Sequence, residues 1–184
     1  MSGKTIGMRA ALAAAALAGV IAISGMLAPP AAAQVTFGSP NDPPRLALGA
    51  GAFDVTPSNA PDAHTAAEFR GEYRFGDKLW IISPFIGASA TSDGAFYGYG
   101  GFGFDINFTP NLVLTPNGAV GYFTHGSGTN LGSVVEFRTG AELAWRFADM
   151  RRLGIAVTHT SNAGIGKHNP GEQSVVLMYS IPMH

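Results

Sequence analysis

Between Ala67 and Phe75 every second residue is small or aromatic: Ala67, Phe69, Gly71, Tyr73 and Phe75. The residues between them are Glu68, Arg70, Glu72 and Arg74. A period of two marks a β-strand, whose side chains alternate between faces. One face of this strand suits hydrocarbon. The other carries charges of alternating sign that need each other as partners. The pattern returns further on, where Val135, Phe137, Ala141, Leu143, Trp145 and Phe147 oppose Glu136, Arg138, Glu142 and Arg146. An apolar outer face with paired charges within is the arrangement of a strand in a transmembrane barrel wall.

The start of the chain agrees with export. Met1 to Arg9 carries Lys4 and Arg9 and no acid, Ala10 to Ala28 is apolar, and Ala31-Ala32-Ala33 offers a small-residue cleavage site. This order predicts a signal peptide over residues 1–33, removed before Gln34. The mature chain, Gln34 to His184, is then 151 of the 184 residues and one domain in length. It keeps 9 basic against 12 acidic residues, and a net charge near −3 argues against a nucleic-acid partner. With no cysteine, disulfides cannot hold it together. Charged residues make up 12% of the chain, about half the usual share for soluble proteins. The mature part has no run of ~20 apolar residues, so a membrane helix is excluded. A closed β-barrel then remains as the way to satisfy every backbone group inside lipid.

Residues 34–44, with Pro40, Pro43 and Pro44, read as a flexible lead-in, and residues 45–184 as the barrel. The expected strands are Arg45 to Val55, His64 to Phe75, Leu79 to Ala90 and Phe96 to Phe108. Four more follow: Leu112 to Thr124, Ser133 to Phe147, Arg152 to Ser161 and Gln173 to Pro182. Pro84 interrupts the third and predicts a bulge. The fold class is therefore all-β, an eight-stranded antiparallel transmembrane barrel. With the N-terminus in the periplasm, the connections after strands one, three, five and seven lie outside the cell. Three of these four are the longer ones, as in barrels of the outer membrane.

Strand seven holds the chemistry. Leu153, Ile155, Val157, His159 and Ser161 share one face, and its last residues lie at the outer rim. Two residues apart on one strand, the His and the Ser stand roughly 6–7 Å apart at Cα, within reach of a base-activated hydroxyl. The aliphatic members of that face put the pair against lipid. The plainer reading is that both are ordinary interfacial polar residues. His64, His125 and His168 lie at or near outer loops without metal-ligand spacing, so neither a metal nor another cofactor is expected. Lys167, in the last outer loop, is a candidate to meet an anionic headgroup.

His159-Thr160-Ser161-Asn162-Ala163-Gly164-Ile165, followed by Asn169-Pro170-Gly171 and a final strand, resembles the C-terminal signature of the lipid A 3-O-deacylases, the PagL-like acyloxyacyl hydrolases. The close likeness covers about 25 residues. It implies an eight-stranded barrel in the Gram-negative outer membrane that removes the 3-O-linked acyl chain of lipid A as a serine esterase without a cofactor. Lipid A or lipopolysaccharide would be its substrate, and a homodimer is one form its assembly can take. By that resemblance Ser161 is the nucleophile, His159 the general base and Asn162 an oxyanion donor. The family's orienting Glu falls on Gln173, while an acid, Glu172, stands one residue earlier. Parity favours Gln173, which is in phase with Val175, Leu177 and Tyr179. Charge favours Glu172, since a carboxylate stabilises an imidazolium and an amide does not. The rival expectations are a catalytically silent structural barrel and a soluble periplasmic binder.

Overall fold

The computed structural model describes residues 34–39, 41–58 and 63–183; the segment expected to be a signal peptide lies outside the described residues. Eight strands build the wall: β1 (Arg45–Phe53), β2 (Ala66–Arg74), β3 (Ile82–Thr91), β4 (Phe96–Phe104), β5 (Leu112–Thr124), β6 (Val135–Arg146), β7 (Arg152–Ser161) and β8 (Glu172–Pro182). Each pairs antiparallel with its neighbours in sequence. β8 also pairs with β1, with Tyr179 opposite Leu48 and Val176 opposite Gly51, and so closes the sheet. The strands run from 9 to 13 residues, enough for tilted strands to cross the hydrocarbon. Closure leaves no free edge, which is what lipid requires of a sheet.

Parity sorts the side chains. Phe69, Ile86, Phe102, Tyr122, Trp145, Ile155 and Leu177 face outward and are exposed. In water such a continuous apolar surface would drive aggregation, whereas in a bilayer it is solvated by acyl chains. The lumen is packed with charge. Glu72 accepts hydrogen bonds from Arg74 at 2.9 Å, Arg138 at 2.9 Å and the Tyr99 hydroxyl at 2.9 Å. Arg74 reaches across to Glu142, and the Arg138 guanidinium lies 4.0 Å above the Tyr99 ring centre. Arg70 binds Glu68 at 2.8 Å. Part of the Glu–Arg alternation seen in β2 and β6 is thus answered across the barrel, by Arg74 with Glu142 and Arg138 with Glu72. The interior is lined by these charged side chains, with a cavity at its basal half between Asp42, Glu72, Arg74, Asp105 and Arg152. Neighbouring strands β4 and β5 pack closely at glycine: a Cβ on Gly101 would lie 2.1 Å from the Gly118 carbonyl oxygen of β5.

The lead-in segment, read as flexible from its prolines, makes ordered contacts at the base. Thr36–Phe37 pairs with Ile106–Asn107, and the Gly38 N–H donates to the Asp105 carbonyl at 2.7 Å. Asp42 binds Arg45 at 2.9 Å and also Arg152. Burial opposes a charge on Asp105, yet hydrogen bonds from Arg152, Thr115 and Ser39 hold its carboxyl well below the usual carboxylate range.

Three local expectations are corrected. Strand three starts at Ile82 rather than Leu79. Leu79 and Ile82 exchange backbone hydrogen bonds at 2.9 and 3.1 Å, and Trp80 turns the tip with φ 63°. Trp80 is 86% exposed, and a projecting indole at a barrel end suits the interfacial belt of aromatics. Strand four stops at Phe104 because Asp105 turns to the basal arginines, and Ile106–Asn107 pairs separately. Pro84 makes no bulge. The register runs through it, with Ser83, Pro84 and Phe85 opposite Gly103, Phe102 and Gly101. Its carbonyl accepts from Phe75 N–H, so its ring nitrogen faces β2 just beyond the last paired residues, Arg74 and Phe85.

Substituting Glu72→Ala strands the Arg138 guanidinium and the Tyr99 hydroxyl in the lumen and leaves Arg74 with Glu142 alone. The expected loss is about 3–5 kcal/mol, the cost of breaking a buried ion network by removing one partner. A lower urea midpoint for the heat-modifiable folded band on a gel is the readout.

Candidate active site

β7 and β8 place the site. In their register His159 lies directly opposite Gln173, and Thr160 opposite Glu172. On the other side β6 sets Thr139 against His159 and Phe137 against Ser161. Burial alternates without a break along β7, and His159 is exposed on the face of Leu153, Ile155 and Val157. Ser161, half-buried, follows on that face at the strand's end. The surface around the pair is apolar, with Phe137, Val157, Val175 and Ile165 all exposed. Among the described residues no hydrogen bond joins the Ser161 hydroxyl to the imidazole. Such bonds are often long before substrate arrives and tighten in the complex.

The two residues offered as the partner of His159 point in opposite directions. Gln173 Nε2 lies 3.1 Å from His159 Nδ1. Glu172 is 1% exposed and turned into the lumen, where it accepts from the Ser174 hydroxyl at 2.8 Å and the Asp54 N–H at 3.3 Å. A bulge bringing Glu172 outward does not form, because the β7–β8 pairing is regular from Glu172 onward. Side chains one apart on a strand cannot share a face, and this outweighs the chemical preference for a carboxylate.

Asn162 is also turned away from the outer face, at 0% exposure. Its amide nitrogen donates to the Leu131 and His168 carbonyls at 2.8 and 2.7 Å, and its Oδ1 accepts from Gly164 N–H at 2.9 Å. Its own N–H donates to Asn169 Oδ1 at 3.0 Å. The amide therefore ties the β5–β6 loop to the β7–β8 loop. The Asn162-Ala163-Gly164-Ile165 segment is a tight turn closed by Ile165 N–H on the Asn162 carbonyl at 3.1 Å. Ala163 and Gly164 have φ of 53° and 83°, and positive φ at both central residues is the type I′ pattern. A non-glycine residue so placed carries strain, held here by the network around Asn162.

Gly171 supports the imidazole. It has φ 65°, and a Cβ there would lie 2.7 Å from His159 Cε1. Only glycine gives both the backbone turn into β8 and the space for the ring. Lys167 and His168 are exposed on the last outer loop. His64 meets Asp93 at 2.8 Å on another. Among the described residues no three His, Asp or Glu side chains gather as a metal site. One contact has no counterpart in the sequence reading: the Thr56 hydroxyl, from the loop after β1, donates to Gln173 Oε1. Parity signals which face a residue takes, but nothing in a strand pattern says which loop will fold over it.

A small outer-membrane barrel with a His–Ser pair on its lipid face is the class that fold and site define. The model of the lipid A 3-O-deacylase (PagL) family matches residues 59–182, and the chain belongs to that family. Among solved structures, one described as the crystal structure of the outer membrane enzyme PagL aligns with TM-score 0.54 at 19% identity. The alignment covers 76% of this chain and 99% of that one. A de novo designed transmembrane β-barrel aligns with TM-score 0.53 at 11% identity, over 77% and 97% of the two chains. At these identities the likeness is one of fold. A comparison with curated proteins finds no match.

Replacing Gly171 by Ala is expected to cost about 1 kcal/mol in backbone strain and to push the imidazole off Gln173. The His159 ring signals in the NMR spectrum should shift while the barrel stays folded.

Proposed function

We propose that this protein is a serine esterase of the outer membrane that removes the 3-O-linked acyl chain of lipid A. The observation that carries this reading is the shared outward face of His159 and Ser161 at the outer rim, in a member of this family. With the N-terminus in the periplasm, that rim lies at the outer leaflet. The acyl chain of a lipid beside the barrel would lie along Phe137, Val157 and Val175, and its ester would reach Ser161 without leaving the membrane. The Ser161 oxygen attacks the ester carbonyl as His159 Nε2 takes the hydroxyl proton. The same proton then goes to the departing sugar alcohol, leaving an acyl-enzyme that water hydrolyses. Asn162 is committed to its loops, so the oxyanion is assigned instead to backbone N–H groups of the turn after Ser161. The Ala163 N–H is the first candidate, since it has no hydrogen-bond partner among the described residues.

One observation favours a second reading, a catalytically silent barrel: the residue against His159 is an amide, not a carboxylate. An amide leaves the imidazolium without a countercharge, so catalysis here is slower than with a Glu. Lipid A from Gram-negative cells producing the protein, read by mass spectrometry, should lose the mass of one 3-O-linked chain. Ser161→Ala should abolish the loss. Unchanged lipid A in cells with well-folded protein would support the silent barrel. Gln173→Glu should raise turnover by roughly 10-fold to 10⁴-fold, the range over which the charge behind a catalytic imidazole acts.

A further inference from the structure

We propose that Thr56, in the loop after β1, is a positioning residue that together with Gln173 replaces the acid behind His159. This rests on the reading of His159 as the base of an ester hydrolysis. The loop is anchored for the task. Asp54, with φ 51°, turns the chain at the end of β1 and is fixed by Thr129 on its Oδ2 at 2.8 Å and Thr65 on its carbonyl at 2.8 Å. The next residue, Val55, donates its N–H to the Gln173 carbonyl at 2.8 Å. Thr56 then sets its hydroxyl on the Gln173 amide. The segment thus holds Gln173 by backbone and side chain together, across 117 residues of sequence.

The need for such a clamp follows from the chemistry of an amide. A carboxylate offers an oxygen to His159 whichever way it turns, whereas an amide has two unlike ends. With Nε2 against Nδ1, as the structure has it, the amide donates to the ring. The ring then keeps its own proton on Nε2 and has no lone pair for the Ser161 proton. With the amide turned end for end, Oε1 accepts from Nδ1–H and Nε2 is free to act as base. A threonine hydroxyl both donates and accepts, so Thr56 satisfies the far end of the amide in either orientation. In the working orientation, Gln173 Nε2–H donates to Thr56 Oγ. As the Ser161 oxygen bonds to the ester carbon, its proton passes to His159 Nε2. Nδ1–H stays on Gln173 Oε1, and no other proton moves. Thr56 keeps the amide at bonding distance through this cycle.

Kinetics of the full-length protein on a long-chain p-nitrophenyl ester in detergent tests this. The variants are Thr56→Val and Thr56→Ser, each with Gln173 and with Gln173→Glu, and Ser161→Ala. Thr56→Val should lower kcat about tenfold, the worth of one hydrogen bond, with KM within about twofold. Thr56→Ser should restore the rate. With Gln173→Glu the same Thr56→Val change should cost less than about twofold, because the attraction between a carboxylate and the imidazolium holds the pair together without a clamp. An equal loss in both backgrounds would mean a merely structural role, and no loss beside Gln173 would mean none; either overturns the proposal. If Ser161→Ala cleaves as fast as the unaltered protein, the esterase reading itself fails and takes this inference with it. Loss in Ser161→Ala with indifference to Thr56→Val overturns the role of Thr56 alone.

Discussion

Backbone hydrogen bonds cannot go unpaired in hydrocarbon, and the rest of this structure depends on that. Each exposed N–H or C=O would cost several kcal/mol, so the strands close on themselves. A closed ladder with regular register fixes parity everywhere, because a slip of one residue would turn a whole strand inside out. In β2 and β6 such a slip would expose Glu and Arg to lipid and bring Phe69 or Trp145 into a lumen filled by ion pairs. The charges are therefore more than filling: they set the register that also decides where His159 points.

The lumen belongs to the ion pairs. Glu72, Arg74, Arg138 and Glu142 occupy the middle of the barrel, while Asp42, Asp105 and Arg152 close its base. A lumen so charged is no place for an acyl chain. A lipid meets the outer wall, where residues of β7 alternate from an apolar belt to a base and a hydroxyl at the rim. Parity also explains why Glu172, the nearest carboxylate in sequence, does not serve His159. It stands in the wall's other face, satisfied by Ser174 and the Asp54 N–H, while the amide beside it takes the imidazole.

Much of this was legible in the residues. The alternation at 67–75 and 135–147 carried the strands, their faces and the paired lumen charges, and the same rule put His159, Ser161 and Gln173 together. It was legible because period two is a local property that the closed ladder enforces. What escaped the sequence was non-local. The turn at Trp80 was hidden because Leu79, Trp80 and Ile81 look like strand residues. The docking of 36–39 and Asp42 depends on arginines far along the chain. The resemblance assigned Asn162 to the oxyanion, yet carbonyls from two loops hold its amide inward. Thr56 could not be found at all from a strand pattern, since its partner lies in the last strand.

The central claim is that a nucleophilic hydroxyl stands on the lipid face of this barrel, served by the imidazole beside it. A fluorophosphonate bearing a long alkyl chain, offered to the protein in bilayers and mapped by peptide mass spectrometry, tests it directly. The account predicts one adduct, on Ser161, that is lost in His159→Ala. A folded barrel whose Ser161 stays unmodified, even with Gln173→Glu to strengthen the base, would contradict it.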